Sequence, residues 1–123
     1  MKGGDIMKKI LLVDDEEGIH LLYREELEGE GYNVYSALSG IDALQNFKII
    51  SPDLVILDIN MPGMDGIEVL RQIKEIDPRI PVVLCTAYQE FKQELGVWAS
   101  DDYIVKSSDL NDLKSAVHHL LAH

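Results

Sequence analysis

Five short apolar runs mark the chain, each followed by a longer stretch with helical spacing. The first run is Ile10-Leu11-Leu12-Val13, stopped by Asp14-Asp15. The second and weakest is Val34-Tyr35-Ser36-Ala37. The third, Leu54-Val55-Ile56-Leu57, stops at Asp58; the fourth runs from Pro81 to Cys85 and stops at Thr86; the fifth, Tyr103-Ile104-Val105, stops at Lys106. Runs one, three and four are continuously apolar rather than alternating, which is how strands buried on both faces of a parallel sheet read.

The stretches between them predict helices. Ile19, Leu22, Tyr23 and Leu27 mark the first, ended by Gly31 in a left-handed conformation. Leu44 and Phe47 mark the second, with Ser39 as N-cap and Pro52 as the stop. Ile67, Leu70 and Ile73 mark the third, with Pro78 just beyond it. The fourth is the weakest, with Phe91 and Leu95 on one face and an early Gly96. Leu110, Leu113, Val117 and Leu120 mark the last, capped by Ser108 or Asp109. Strand–helix alternation repeated five times predicts an α/β fold with helices on both faces of a parallel sheet.

A length of 123 residues fits a single domain. It is expected over 7–123 behind a flexible leader at 1–6, because Met7-Lys8-Lys9 offers a second natural start. The net charge of -11 disfavours direct nucleic-acid binding and membrane surfaces, both of which call for clustered Lys and Arg. Most of that acidity reads as a solvated surface. No signal peptide and no bilayer-length apolar stretch is present, so a cytoplasmic location is the default expectation. Cys85 is the sole cysteine, which excludes an internal disulfide and suits a buried, inert thiol.

The chemistry lies where the apolar runs stop. All C-terminal strand ends of a parallel sheet share one edge, so Asp14, Asp15, Asp58, Thr86 and Lys106 are expected to gather there. Open α/β sheets bind ligands at that edge, where the strand order reverses. Three carboxylates in one small site repel one another, and a hard divalent cation such as Mg²⁺, with its octahedral oxygen shell, relieves the repulsion. A plainer role for Asp14 or Asp15 is to cap the first helix. Asp58 is the candidate nucleophile, since a carboxylate can attack phosphorus and form an acyl phosphate. Lys106 offers a point positive charge to the phosphoryl group, or a salt bridge to Asp58 at rest. Thr86 offers a hydroxyl donor, or a helix cap. Tyr103, taken alone, reads as a half-buried strand aromatic. His20, His118, His119 and His123 have no ligand spacing with the acids and read as surface residues.

These residues resemble the receiver domain of two-component response regulators, over about residues 7–122. The acidic pair in Leu11-Leu12-Val13-Asp14-Asp15-Glu16 matches the family's first motif. The segment from Leu57 to Gly66 matches the phosphoacceptor strand and the loop after it. Thr86-Ala87-Tyr88 matches the switch hydroxyl, and Asp102 to Lys106 matches the last strand with its aromatic and lysine. Each motif alone is weak or moderate, but four in order are specific.

The resemblance implies a flavodoxin-like (βα)5 three-layer sandwich with a five-stranded sheet of order 2-1-3-4-5. It implies Mg²⁺ (or Mn²⁺) held by Asp15, Asp58 and the Asn60 backbone carbonyl, with Asp14 reaching it through water. A phosphoryl group would come from a sensor histidine kinase or phosphotransfer protein. The domain would catalyse its own phosphorylation and dephosphorylation rather than turn over a separate substrate. Thr86 and Tyr103 would then move inward. The face formed by the fourth helical stretch, the fifth strand and the last helix would change its preference for a downstream protein, a shift between two pre-existing states.

Two departures stand out. Ser107 follows the lysine where the family commonly has a cis proline, and a non-proline cis bond costs about 3–4 kcal/mol. Thr86 to Lys106 spans 20 positions, shorter than the family's usual spacing, so the fourth helix is expected to be short or displaced. Trp98 sits in that stretch, as a packing residue or a partner contact. Two other functions compete. An aspartate-nucleophile phosphatase needs a second acid two positions after the first, where this chain has Asn60. A receiver that no longer takes phosphoryl and serves as an interaction module is kept open by the same two departures, while the intact acids and Thr86 argue against it.

Overall fold

The computed structural model describes residues 7–59, 65–86, 102–105 and 110–122; for Thr86 and 102–105 it describes the backbone. The expected leader at 1–6, Asn60, the fourth helical stretch with Tyr88 and Trp98, Lys106, Ser107, Ser108, Asp109 and His123 lie outside the described residues.

The described elements run β1 (Lys9–Val13), α1 (Glu17–Gly29), β2 (Asn33–Ala37), α2 (Gly40–Ile50), β3 (Leu54–Asp58), α3 (Gly66–Ile76), β4 (Val82–Thr86), β5 (Asp102–Val105) and α4 (Asn111–Leu121). The five strands form one sheet of order β2-β1-β3-β4-β5, and each neighbouring pair is parallel. The expected fold is therefore the one observed.

The two sheet faces have separate cores. On one face, Leu11, Val13, Val55, Leu57, Val82 and Leu84 pack with Ala43 and Phe47 of α2 and with Val69, Leu70 and Ile73 of α3. On the other, Ile10, Leu12, Leu54, Ile56, Val83 and Cys85 pack with Tyr23 and Leu27 of α1 and with Leu113 and Val117 of α4. This explains the continuously apolar strands: alternate side chains enter different cores, and both cores are apolar.

Local signals end the helices much as their chemistry requires. Gly31, at φ 99°, lets the chain leave α1. Its N–H donates to the Glu28 carbonyl at 3.0 Å, and the Tyr32 N–H donates to the Leu27 carbonyl at 3.2 Å, the paired bonds of a Schellman turn. The Ser39 hydroxyl accepts the Asp42 N–H at 3.0 Å, so it caps α2. At the far end Ser51 turns left-handed at φ 53° ahead of Pro52.

Three details of the sequence reading need correction. The buried stripe of α1 is His20, Tyr23 and Leu27, while Leu22 is 41% exposed. Positions 20, 23 and 27 share one helical face, and position 22 is rotated about 100° from 23. The N-cap position of α4 is Leu110, with no side-chain cap bond, rather than Ser108 or Asp109. Strand β4 starts at Val82 and takes in Thr86 as its last residue. Pro81 sits outside it, having no N–H to give, although its carbonyl accepts the Val55 N–H at 3.0 Å.

Candidate phosphoacceptor and cation site

The order β2-β1-β3 means the chain crosses from β1 outward to β2, then back over β1 to β3. The crevice between the C-terminal ends of β1 and β3 is therefore the switch point of the sheet. The register pairs Val13 with Leu57, so the next residues, Asp14 and Asp58, stand side by side there. Alternation sets their direction. Asp14 continues the Ile10, Leu12 series and Asp58 the Leu54, Ile56 series, so both face the α1/α4 side.

Asp14 and Asp58 are 1% and 3% exposed, and Asp15 is exposed. One carboxylate oxygen from each of the three lies within 4.8 Å of the others. An octahedral Mg²⁺ shell, at about 2.1 Å per bond, places adjacent oxygens about 3 Å apart and opposite ones about 4 Å apart. The trio fits such a shell with small adjustments. Oxygen-only donors suit a hard cation rather than a soft metal.

The backbone holds these acids in place. Asp14 N–H donates to the Ala37 carbonyl at 3.1 Å, adding one rung to the β1–β2 ladder. The Asp14 Oδ1 accepts the Glu16 N–H at 2.9 Å. Glu16 occupies the N-cap position of α1 without a side-chain cap bond, so neither Asp14 nor Asp15 serves the plain capping role. Beyond Asp58, the Ile59 N–H donates to the Cys85 carbonyl at 3.2 Å and keeps β3 paired with β4 past the acid. Helix α3 starts close by. The Asp65 carboxylate accepts the Ile67 N–H at 2.9 Å, and Gly66 lies against the Asp58–Ile59 backbone.

Thr86 ends β4 opposite Val105 of β5, and Tyr103 pairs with Leu84. The backbone thus brings Thr86 and the end of β5 to the same edge as the acids. Asn60 and Lys106 lie outside the described residues. Cys85 is buried and forms no disulfide, as expected.

His20 corrects the sequence reading. It is 7% exposed, not a surface residue. Its Nε2 is 2.7 Å from the Asp14 carbonyl oxygen and its Nδ1 is 2.9 Å from the Ser36 hydroxyl. The signal was present: His20 precedes Tyr23 by three and Leu27 by seven, on the buried stripe. A polar side chain at such a position reads as exposed until its partners are known, and these are a main-chain carbonyl and a serine 16 residues away. His118 and His119 are exposed as expected. Gly66 belonged to a recognised motif without an assigned role; its tight approach to Ile59 supplies one.

The family model of the response regulator receiver domain matches residues 10–118. The chain belongs to that family. The receiver is 40% identical over 119 residues to sporulation initiation phosphotransferase F of Bacillus subtilis, covering 93% of this chain and 94% of that protein. It spans 48% of the transcriptional regulatory protein PhoP of the same organism, to which it is 39% identical. Among solved structures it resembles response regulator TrrA of Thermotoga maritima in complex with Mg²⁺-BeF. That match has a TM-score of 0.89 and 45% identity, over 94% of this receiver and 100% of TrrA. TrrA is also seen in complex with the histidine kinase ThkA, and there the match has a TM-score of 0.87, 44% identity and coverage of 94% and 99%. Among the described residues of the receiver, no helix is long and apolar enough to cross a membrane.

Proposed function

We propose that this receiver is a signalling switch that accepts a phosphoryl group on Asp58 and changes partners when it does. The observation that carries the reading is the convergence of the Asp14, Asp15 and Asp58 oxygens at the switch point of the sheet. The donor is a phosphohistidine on a sensor histidine kinase or phosphotransfer protein, a reading supported by the kinase complex of TrrA. An Asp58 carboxylate oxygen attacks phosphorus in line. The bond from phosphorus to the donor imidazole nitrogen breaks, and its electron pair stays on that nitrogen.

Asp14, Asp15, Asp58 and the Asn60 carbonyl would hold the cation, for which Mg²⁺ is the reading supported by the Mg²⁺-BeF complex of TrrA. Bound there, Mg²⁺ supplies positive charge against the acids and the phosphoryl oxygens. Mn²⁺ satisfies the same oxygen donors. Lys106 gives a second positive charge and Thr86 a hydroxyl donor. Thr86 and Tyr103 pass the change to the downstream face that includes β5 and α4. Burial of Asp58 keeps bulk water from one side of the acyl phosphate. Domain limits of 7–123 and a cytoplasmic location complete the reading.

Incubation with acetyl phosphate and Mg²⁺ tests it. Intact-protein mass spectrometry should show one added phosphoryl group, which does not form when the metal is chelated beforehand and is absent in Asp58→Asn. Folded protein that binds Mg²⁺ but gains no mass would make this chain a phosphorylation-independent interaction module.

A further inference from the structure

The Asp14 backbone makes a contact that the receiver chemistry does not require of it. Its carbonyl, which belongs to the peptide unit joining Asp14 to Asp15, meets His20 Nε2 at 2.7 Å. The carbonyl can only accept, so Nε2 carries the proton. In the neutral imidazole Nδ1 is then the acceptor, and it meets the Ser36 hydroxyl at 2.9 Å. The same Ser36 oxygen accepts an N–H from Arg24 Nη2 at 2.8 Å, so its own proton is free to go to Nδ1. One direction runs through the whole chain: Arg24 donates to Ser36, Ser36 to His20, and His20 to Asp14. Charge on Arg24 polarises each following bond in the same sense.

We infer that His20 is a positioning residue of the phosphoacceptor site, setting the plane of the Asp14–Asp15 peptide so that both carboxylates meet the Mg²⁺ in register. The inference rests on the receiver reading above. Among the bonds that hold Asp14 are its N–H on Ala37, its Oδ1 on Glu16 and its carbonyl on His20. The first two hold the residue itself. Of these, the third acts on the peptide plane shared with Asp15, and it is the one a side chain supplies. Asp15 is exposed and makes no hydrogen bond among the described residues, so its aim depends on the backbone that presents it. Groups that orient ligands in this way typically change metal affinity about 10–100-fold when removed.

The test compares His20→Leu, which keeps bulk but no donor, with His20→Gln, whose side-chain amide can place an N–H near the Nε2 position. Mg²⁺ alone is titrated by calorimetry, and phosphoryl uptake from acetyl phosphate is measured at limiting and saturating Mg²⁺. His20→Leu should weaken Mg²⁺ binding about tenfold, at the low end of that range. It should slow uptake at limiting Mg²⁺ far more than at saturation, and His20→Gln should recover most of the loss. Ser36→Ala, on the solvent side of the network, should give a smaller loss of affinity in the same direction, and it serves if His20→Leu does not fold.

Long-range ¹H–¹⁵N spectra of the wild type should show the Nε2-protonated tautomer, independently of any metal. Equal Mg²⁺ affinity in the wild type, His20→Leu and Ser36→Ala overturns the inference alone. Equal loss in the Leu and Gln variants does so too, since bulk and not the donor would then matter. A wild type with the stated tautomer that binds no Mg²⁺ removes the Mg²⁺-dependent phosphoacceptor reading instead, and the inference with it.

Discussion

Gly66 approaches Ile59 so closely that a Cβ on Gly66 would fall 2.5 Å from the Ile59 Cα, and 2.9 Å from the Asp58 carbonyl oxygen. Both obstacles are main chain, so neither can rotate away. The start of α3 is thereby locked against the residue that follows the phosphoacceptor. Gly66→Ala must push α3 or the end of β3 aside. A loss of about 1–3 kcal/mol in urea unfolding is expected, as for other overpacked sites. The strain lands beside Asp58, so phosphoryl uptake per folded molecule should fall as well. Unchanged stability and uptake would mean the contact relaxes without consequence.

Gly29 and Gly31 make a matched pair at the end of α1. Gly31 sits at φ 99°, where a Cβ is strained. Gly29 is the last residue of the helix, and a Cβ there meets nothing within 4 Å. Gly31→Ala should therefore destabilise by about 1–2 kcal/mol. Gly29→Ala should stabilise by about 0.4–1 kcal/mol through a less flexible unfolded chain and better helix propensity. Chemical denaturation of the two variants checks the opposite signs.

On α3, Arg71 hydrogen-bonds Glu68 and Glu75. The Arg71 hydrogen bond, followed by one from Gln72, holds the Glu68 carboxyl well below its ordinary 4.5, at about 2. A folded value below the unfolded one means the interaction favours the folded state above about pH 4.5. That contribution fades as pH falls through about 2. The groups are on the surface, so the effect on stability is small and screened by salt. Carboxyl NMR titration should show Glu68 protonating near pH 2, and Arg71→Ala should return it toward the ordinary range. An unmoved midpoint in that variant would assign the shift to something other than Arg71.

Much of this arrangement was legible in the sequence for identifiable reasons. Ile10 to Val13 and Leu54 to Leu57 are apolar at every position because each strand feeds two cores, and that pattern has few other meanings. The meeting of Asp14 with Asp58 followed from both strands ending at the same level of a parallel sheet. Spacing alone places His20 on the buried stripe with Tyr23 and Leu27, but its partners, a carbonyl and a hydroxyl, are revealed by no periodicity. Leu22 points the opposite way: its spacing suggests burial, yet it is 41% exposed, because the turn of α1 that buries Tyr23 carries it outward. Gly66 looked like a loop residue, and only the distance to Ile59 shows why a side chain is excluded.

The central claim is that three acids from two strands make one cation site around Asp58. Calorimetric titration with Mg²⁺ of the wild type, Asp15→Asn and Asp58→Asn tests it most directly. The account predicts one ion per chain in the wild type and a loss of affinity of about tenfold or more in each variant, since each removes a charged ligand. Wild-type binding that neither substitution weakens would place the ion elsewhere and contradict the account.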